Sequence, residues 1–339
     1  MARKILQHFK AFHGYANCIG RAKEIVLVNF GYKPVGLYLG HESAFFYLRD
    51  QRKVFLTPRY ASTDYFLGQV GVDMCWYYTD DPEDVWELLR TAVDDGRPVL
   101  AWVDAYYLPF VPFQQHSTHV TILAGYDSEA RTVWVADSIL EFHGDLPWVT
   151  FCQALNLGVN EQNEWRPSQI TYGEMFFREP PSYAHQTFPG TIDRNCRYYL
   201  NPSVIPQEYL DYVRTMSKQA EGPMWAGVEG MERFIGDLPE ILPTLVEHFN
   251  HSSVQFLRLS EQRLWFGELL ERAGELFGEA RWKESAKEMS AASQDWALVR
   301  QLVAKYSIRR TDTTHAQLLN RLKLIQEREW KAYQLASLT

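Results

Sequence analysis

The sequence predicts an α+β fold, in which a mixed or antiparallel sheet fills the first half of the chain and helices fill the second. Of the 339 residues, 46% are hydrophobic and 22% are charged, which is the balance of a folded globular protein. Helical and strand periods alternate along the first half, whereas the helical period dominates beyond Pro206. Between Trp165 and Pro206 the chain is rich in Pro, Gly and aromatic residues, so we expect one domain at 1–185 and a second at 186–339.

The first half begins with a predicted helix that starts at Cys18. Apolar residues recur from there at helical spacing, and Gly31 is placed to end the helix. Short apolar runs at 45–48 and 54–56 then predict two strands. The alternation of helical and strand periods at the start of the chain is the reason for expecting a mixed first domain.

A second helix is predicted from Pro82, because proline suits the first helical turn and Asp80 or Asp81 is placed to cap it. The run 99–103 is almost entirely apolar, which is typical of a strand that is buried on both faces. Two more strands follow at 119–124 and 132–136. The polar stretch that joins them, 125–130, predicts a hairpin turn.

The second half is predicted to be helical nearly to its end, over 209–220, 224–235, 252–277, 285–306 and 314–335. Leu257, Leu264, Leu269 and Phe277 are expected on sides that pack inward. These apolar stripes fit a homodimer interface as well as packing within one chain.

The overall charge disfavours nucleic acid as a partner. Lys and Arg number 34 against 42 Asp and Glu, a formal net charge of −8, although residues 300–339 hold eight basic residues against three acids. No apolar run reaches the roughly 20 residues of a membrane helix, and the start has no run of signal-peptide length, so we expect a cytoplasmic protein without membrane contact. The four cysteines lie far apart without a C-x-x-C pair, which argues against a zinc ribbon or a disulfide scaffold.

Three residues are candidates for chemistry. A thiol at the start of a helix, such as that of Cys18, lies in the positive end of the helix dipole, which favours the thiolate; the alternative for a lone cysteine is a small buried side chain. If the hairpin turns about residue 128, His119 and Asp137 face each other across the strands, close enough for the carboxylate to fix the imidazole tautomer. The order Cys, His, Asp is that of papain-like enzymes. We therefore expect a papain-like (cysteine-peptidase-like) first domain.

A metal site is the weaker interpretation of the histidines. His116 and His119 are separated like a pair of ligands, with Asp137 and His143 further along the chain. Strand residues three apart point to opposite faces, so no metal site is predicted.

The first half of the chain, which holds Cys18, His119 and Asp137, resembles the family of butirosin biosynthesis protein H over residues 13 to about 150. The matching stretches are Cys18 opening a helix that ends near Phe30-Gly31, Asp95-Gly96-Arg97-Pro98-Val99, Asp104 with Tyr107-Leu108-Pro109-Phe110, His119-Val120 with Gly125-Tyr126-Asp127, and Ala136-Asp137. The helical half is similar to the second domain of that family more loosely, through 227–231 and 255–258.

The resemblance implies an acyltransferase of secondary metabolism that forms an amide. An acyl or aminoacyl group would pass from the phosphopantetheine thioester of an acyl carrier protein to Cys18 and then to a small-molecule amine. His119 would carry the proton and Asp137 would orient His119. The pantetheine arm would be part of the donor substrate, and no resident cofactor is implied. Asp104, Tyr107 and Glu141 are candidates for binding the substrate.

One position departs from the papain-like pattern, because no Gln stands shortly before the nucleophile to complete the oxyanion hole. The backbone N–H of Cys18 remains as one donor, with His13 or Asn17 as candidates for the second. Two other functions stay open at this point: a cysteine hydrolase or peptidase-like amidase with the same three residues, and a non-catalytic binding protein that retains the fold. The sequence identifies neither the acyl group nor the amine.

Overall fold

The computed structural model describes residues 3–6, 18–40, 43–49, 54–56, 67–112, 116–137, 141–155, 169–216 and 222–337. The chain divides into two compact units. The first comprises Met1–Tyr32 and Val72–Glu179, and the second comprises Lys33–Gly71 and Pro180–Thr339. The predicted single boundary between 185 and 186 leaves out the insertion Lys33–Gly71, which groups with the helical unit.

The strands, in chain order, are β1 (Arg3–Ile5), β2 (Phe46–Arg49), β3 (Val54–Phe55), β4 (Val72–Thr79), β5 (Val99–Asp104), β6 (Thr118–Asp127), β7 (Thr132–Asp137), β8 (Phe142–Pro147), β9 (Ile170–Phe177) and β10 (Met224–Ala226). The helices are α1 (Cys18–Asn29), α2 (Gly36–Leu39), α3 (Pro82–Asp94), α4 (Trp148–Leu155), α5 (Phe188–Leu200), α6 (Gln207–Met216), α7 (Gly227–Glu247), α8 (Phe249–Phe277), α9 (Ala280–Ile308) and α10 (Asp312–Ala336). An antiparallel sheet in the first unit and a helical second unit confirm the predicted α+β class.

Within the described ranges, the first unit contains a seven-stranded antiparallel sheet in the order β4-β9-β5-β6-β7-β8, with β1 paired to β6. One cluster of buried apolar side chains joins this sheet to α3 and α4, and it includes Val85, Leu89, Val93, Val99, Val103, Val135, Phe151 and Leu155. The nearly all-apolar β5 lies inside the sheet between β9 and β6, as its composition predicts.

The ends of α1 and α3 follow from local signals in the sequence. Gly31 has a φ of 87°, a left-handed conformation that costs glycine little, and it ends α1 as predicted. Asp81 accepts a hydrogen bond from the Glu83 N–H at 2.9 Å and so caps α3, with Pro82 in the first turn. α1 packs against β6, which lies between β5 and β7 in the sheet.

The β6–β7 hairpin differs from its prediction in one respect. Strand β6 runs to Asp127 and β7 begins at Thr132, so the turn falls later than the predicted 125–130. Ile122 lies opposite Ala136, but a bulge between Leu123 and Gly125 shifts the register further along the strands. An irregularity of this kind adds one residue to a strand, and the alternation of apolar and polar residues does not show where it falls.

The second unit holds a small antiparallel sheet, β10-β2-β3, together with the long helices of the second half. Met224–Ala226, predicted to begin a helix, is instead a strand that pairs with β2, and the helix begins at Gly227. Helix α5 lies in the Pro-rich stretch that the sequence left without elements. Leu269 is fully buried as expected, whereas Leu264 and Phe277 are 45% and 48% exposed, so the prediction that they pack inward is wrong.

A buried ion pair lies within the long helices of the second unit. Arg263 on α8 donates two hydrogen bonds to Glu329 on α10, at 2.7 and 2.9 Å, and both side chains are fully buried. The Trp296 indole N–H donates to the same carboxylate at 2.8 Å. This two-point geometry satisfies most of the polar atoms of the pair, which a buried charge requires. Of the helices in the described ranges, none has both the length and the apolarity needed to cross a bilayer.

Candidate active site

The site begins with Cys18, the first residue of α1. Its side chain is half-buried, and it is a free cysteine. The first peptide N–H groups of a helix have no partner within the helix and carry partial positive charge, which stabilises an anion placed beside them. The predicted position of the thiol at a helix N-terminus is therefore confirmed.

His119 lies near the start of β6, and its Nε2 is 2.5 Å from Oδ2 of Asp137 at the end of β7. Both side chains are buried. The prediction that the two residues stand directly opposite each other is wrong in register. Continuing the Ile122–Ala136 pairing by one step places Asp137 opposite Thr121, so His119 is the diagonal neighbour of Asp137. Diagonal neighbours on one side of a ladder remain within reach when their side chains are long.

The Cys18 side chain lies close enough to the His119 ring to stabilise its protonated form. Because Asp137 occupies Nε2, Nδ1 is the nitrogen left to face the sulfur. A single imidazole thus lies between a thiol and a carboxylate, which is the arrangement that the sequence predicts for these three residues. The ring cannot rotate without losing both partners, so its orientation is fixed from both sides.

The electrostatics of the site favour a protonated imidazole. Burial opposes the charged form, but the hydrogen bonds to Asp137 and Cys18 outweigh it and raise the pKa of His119 to about 10. At neutral pH His119 is therefore an imidazolium next to the Cys18 sulfur. A positive charge in that position favours the thiolate form of a cysteine, which is the nucleophilic form.

The other three cysteines have different surroundings. Burial raises the pKa of the Cys75 thiol, raises that of Cys152 to about 11, and raises that of Cys196 further. All three are held in the neutral thiol form at pH 7. Cys18 is thus distinguished by its imidazolium neighbour.

A second carboxylate–imidazole pair lies at the same end of the β5–β6 ladder. Oδ2 of Asp104 is 2.8 Å from Nδ1 of His116, and Oδ1 accepts from the backbone N–H groups of Tyr106 and Ser117 at 3.2 Å. The Asp104 side chain is fully buried, whereas the His116 side chain is 38% exposed. Asp104, a candidate for binding substrate, thus directs its carboxylate into the protein, and His116 is the exposed member of the pair.

Aromatic rings surround His116. The Tyr106 ring stacks on the imidazole with centroids 4.2 Å apart, and Tyr107 meets it edge-on at 5.9 Å. Both tyrosines are partly exposed. Tyr107, the second candidate for binding substrate, therefore lies in a surface cluster with His116. From the sequence, His116 is considered only as a metal ligand, and its pairing with Asp104 is not predicted.

The remaining predicted site residues are Glu141, His13 and Asn17. Glu141 is exposed and has a left-handed backbone, with a φ of 53°, just before β8. The two candidates for the second oxyanion donor, His13 and Asn17, lie outside the described residues. No cluster of three or more His, Cys, Asp or Glu side chains suited to a metal ion occurs in the part of the chain that the structure describes.

The fold and the site together define an α+β protein with a cysteine–histidine–aspartate constellation in its sheet-containing unit. Residues 25–138 match the family model described as butirosin biosynthesis protein H, N-terminal, which confirms the resemblance predicted from the sequence. The matched segment includes His119 and Asp137 and begins within α1, seven residues after Cys18. No curated protein matches the chain.

Proposed function

We propose that this protein is a papain-like cysteine acyltransferase of secondary-metabolite biosynthesis, which takes an acyl or aminoacyl group from a carrier-protein thioester and transfers it to an amine. The observation that carries the proposal is the placement of the His119 ring between the Cys18 thiol and the Asp137 carboxylate. The family match supports a role in the biosynthesis of an antibiotic-like metabolite, because the family is described by butirosin biosynthesis.

In the first half-reaction the Cys18 thiolate attacks the carbonyl carbon of the donor thioester. A new C–S bond forms, the bond to the pantetheine sulfur breaks, and the His119 imidazolium gives its proton to the leaving pantetheine thiolate. The products are an acyl-Cys18 thioester, a free pantetheine thiol and a neutral His119. Because the attacking and leaving groups are both thiolates, the exchange is nearly balanced in energy and needs no strong driving force.

In the second half-reaction a neutral amine attacks the acyl-Cys18 carbonyl. A C–N bond forms, His119 takes a proton from the attacking nitrogen, and the C–S bond breaks to regenerate the thiolate and the imidazolium. Asp137 stabilises that imidazolium and holds Nδ1 toward the sulfur. The Cys18 N–H, with His13 or Asn17 as the second donor, would bind the oxyanion of both tetrahedral intermediates.

The basic end of the second unit supports a carrier protein as the donor partner. Arg321, Arg328 and Lys331 are engaged by the acids Asp295 and Glu288. By contrast, Lys305, Arg309 and Arg310 are exposed around Ile308, which is itself 81% exposed, and they make no ion pair with a described residue. Carrier proteins are typically acidic, and charge complementarity of this kind speeds encounter more than it tightens binding.

The proposal is tested by incubating the protein with an acyl-pantetheine thioester and measuring its intact mass. We expect an adduct of one acyl group that maps to Cys18 and is absent in the Cys18→Ala variant. Cys75→Ala is the matched control, since it removes another half-buried thiol and should leave the adduct unchanged.

The fate of the adduct distinguishes the transferase from a hydrolase. A transferase should keep the acyl group for minutes in water and release it quickly as an amide when an amine is added. Release at the same rate with or without an amine would indicate a cysteine hydrolase. If no thioester acylates Cys18 in the wild-type chain, the acyltransferase proposal is wrong.

A further inference from the structure

The hydroxyl of Thr121 is a buried polar group that the reaction described above does not use. Thr121 lies on β6 and is fully buried, and its Oγ1 has no hydrogen-bond partner among the described residues. A buried hydroxyl in that state destabilises a fold, because it loses its hydrogen bonds to water and gains none in return. Valine has nearly the same shape and carries no such cost, so the presence of a threonine at this position needs another explanation.

The strand register places Thr121 beside the His119–Asp137 pair. Continuing the Ile122–Ala136 pairing by one step sets Thr121 directly opposite Asp137, and directly opposed side chains lie on the same face of a sheet. His119 lies two residues before Thr121 on the same strand, so its side chain shares that face. The 2.5 Å contact between His119 and Asp137 agrees with this placement. The hydroxyl, the carboxylate and the imidazole therefore lie on one face of β6 and β7.

The Thr121 hydroxyl can reach the Asp137 carboxylate by rotation about one bond. The Cβ atoms of directly opposed residues are about 4.5–5.5 Å apart. The Thr121 oxygen is one bond from its Cβ, and the Asp137 oxygens are two bonds from theirs, so a hydrogen bond between the two side chains fits this gap. On its other side Thr121 faces Ala101 of β5, whose methyl group accepts no hydrogen bond. Of these two cross-strand neighbours, Asp137 is the one whose side chain is an acceptor.

The charge on this face changes during the proposed reaction. While His119 is an imidazolium, its positive charge balances the negative charge of the Asp137 carboxylate. Once His119 has given its proton to the leaving thiolate, the carboxylate charge remains in a buried position without that balance. An additional hydrogen bond stabilises a buried carboxylate, and bonds to charged groups are stronger than bonds between neutral ones.

We propose that Thr121 is a positioning residue, whose hydroxyl turns to donate to Asp137 when His119 becomes neutral. This inference rests on the proposed function. In the acyl-enzyme the hydroxyl stabilises the carboxylate, so that His119 stays neutral and ready to accept the proton of the attacking amine. When the imidazolium forms again, its charge once more balances that of Asp137. Thr121 loses no proton in this cycle, because only the direction of its O–H bond changes.

The titratable groups that act most strongly on His119 are the Asp137 carboxylate from β7 and the Cys18 thiol from α1. On β5 the residue opposite His119 is the uncharged Val103. Helix α3 and strand β1 also pack against β6. The charged groups that they bring to this strand lie at its other end, beside Tyr126, and they are Asp94 and Lys4. A change in the titration of His119 when Thr121 is substituted therefore reports on the Asp137 carboxylate.

The first test measures His119 itself and does not depend on acyl transfer. Cys18→Ala removes the thiol, as acylation removes the thiolate, and NMR then gives the titration midpoint of the His119 ring in the full chain. Adding Thr121→Val should raise this midpoint by about one pH unit, because the neutral state of His119 loses the donor that stabilises its carboxylate partner. Thr121→Ser keeps a hydroxyl and should leave the midpoint close to that of the parent.

The second test follows the discharge of preformed acyl-Cys18 by methoxyamine, which is neutral at pH 7, so that its own protonation does not shape the pH profile. In Thr121→Val the rising limb of the profile should move to higher pH by the same amount. At a pH below the midpoint the rate should therefore fall about tenfold, since one pH unit is a factor of ten in the neutral fraction. The rate at high pH should change little, and Thr121→Ser should follow the wild-type profile.

Thr118→Val is the matched control. It removes a second unpartnered hydroxyl of the same strand, but Thr118 lies opposite Asp104 and points to the other face of the sheet, so both readouts should be unchanged. An unmoved His119 midpoint in Thr121→Val overturns the role of Thr121, and so does an equal loss of discharge rate at every pH, which is the signature of disturbed packing. Failure of the wild-type chain to form acyl-Cys18 overturns the proposed function, and the His119 titration then decides separately whether Thr121 donates to Asp137.

Discussion

Asp137→Asn is the substitution that most directly probes the electrostatics of the site. Asparagine has nearly the same shape as aspartate and keeps a hydrogen-bonding group near His119 Nε2, but it removes the negative charge. The structure raises the pKa of His119 from 6.5 to about 10, which corresponds to about 5 kcal/mol in favour of the imidazolium. An opposite charge in contact contributes roughly 1–3 pH units of such a difference. The pKa of His119 should therefore fall by that amount in the variant, a loss of about 1–4 kcal/mol.

The assay is a pH titration of the histidine rings by NMR. The chain has ten histidines, and His119→Gln identifies the resonance that belongs to the site. In the wild-type protein this resonance should keep the chemical shift of the protonated ring well above neutral pH, and in Asp137→Asn its midpoint should move down. A wild-type His119 that titrates in the ordinary histidine range, at about pH 6.5, would refute the reasoning. A His119 titration midpoint that is the same in Asp137→Asn as in the wild-type protein would also refute it.

Three further outcomes follow from the environment of single residues. At pH 7, iodoacetamide should alkylate Cys18 at least about 10²-fold faster than Cys152, whose pKa of about 11 leaves roughly one thiol in 10⁴ ionised. Peptide mass spectrometry measures both rates, and equal labelling would contradict an imidazolium next to the Cys18 sulfur. Glu329→Ala should lower the free energy of unfolding by about 3–5 kcal/mol in a urea titration, because it leaves the Arg263 guanidinium buried without its partner, and a loss below about 1 kcal/mol would contradict that view. Gly173→Ala should lower the melting temperature, since its Cβ would overlap the Cys75 carbonyl oxygen and force β4 and β9 apart at a cost of about 1–3 kcal/mol. An unchanged melting temperature would contradict this steric conflict.

Local signals explain what the sequence predicted well. The start of α1 at Cys18 and the cap of α3 at Asp81 depend only on residues within one turn of the helix, so their patterns are visible in the sequence. The closeness of His119 and Asp137 was predicted by counting symmetrically about a hairpin turn. That count was wrong in register because the turn lies between Asp127 and Thr132, later than the predicted centre at residue 128, yet the pair still meets diagonally. Long side chains such as these can still meet when the register differs from the prediction by two residues.

Features that depend on distant partners were not predictable from one sequence. Met224–Ala226 is too short to show a period, and only its pairing with β2 makes it a strand. The grouping of Lys33–Gly71 with the helical unit likewise depends on tertiary packing. Asp104 and His116 are separated by a turn, so neither spacing nor alternation reveals that a buried carboxylate orients the imidazole.

The central claim is that Cys18, His119 and Asp137 act as one catalytic unit, and the rate of Cys18 acylation by an acyl-pantetheine thioester measures this most directly. His119→Gln should slow acylation by about 10²–10⁴-fold, and the double variant with Asp137→Asn should be no slower, because residues of one unit do not contribute additively. Acylation of His119→Gln at the wild-type rate, or independent losses that multiply in the double variant, would contradict the account.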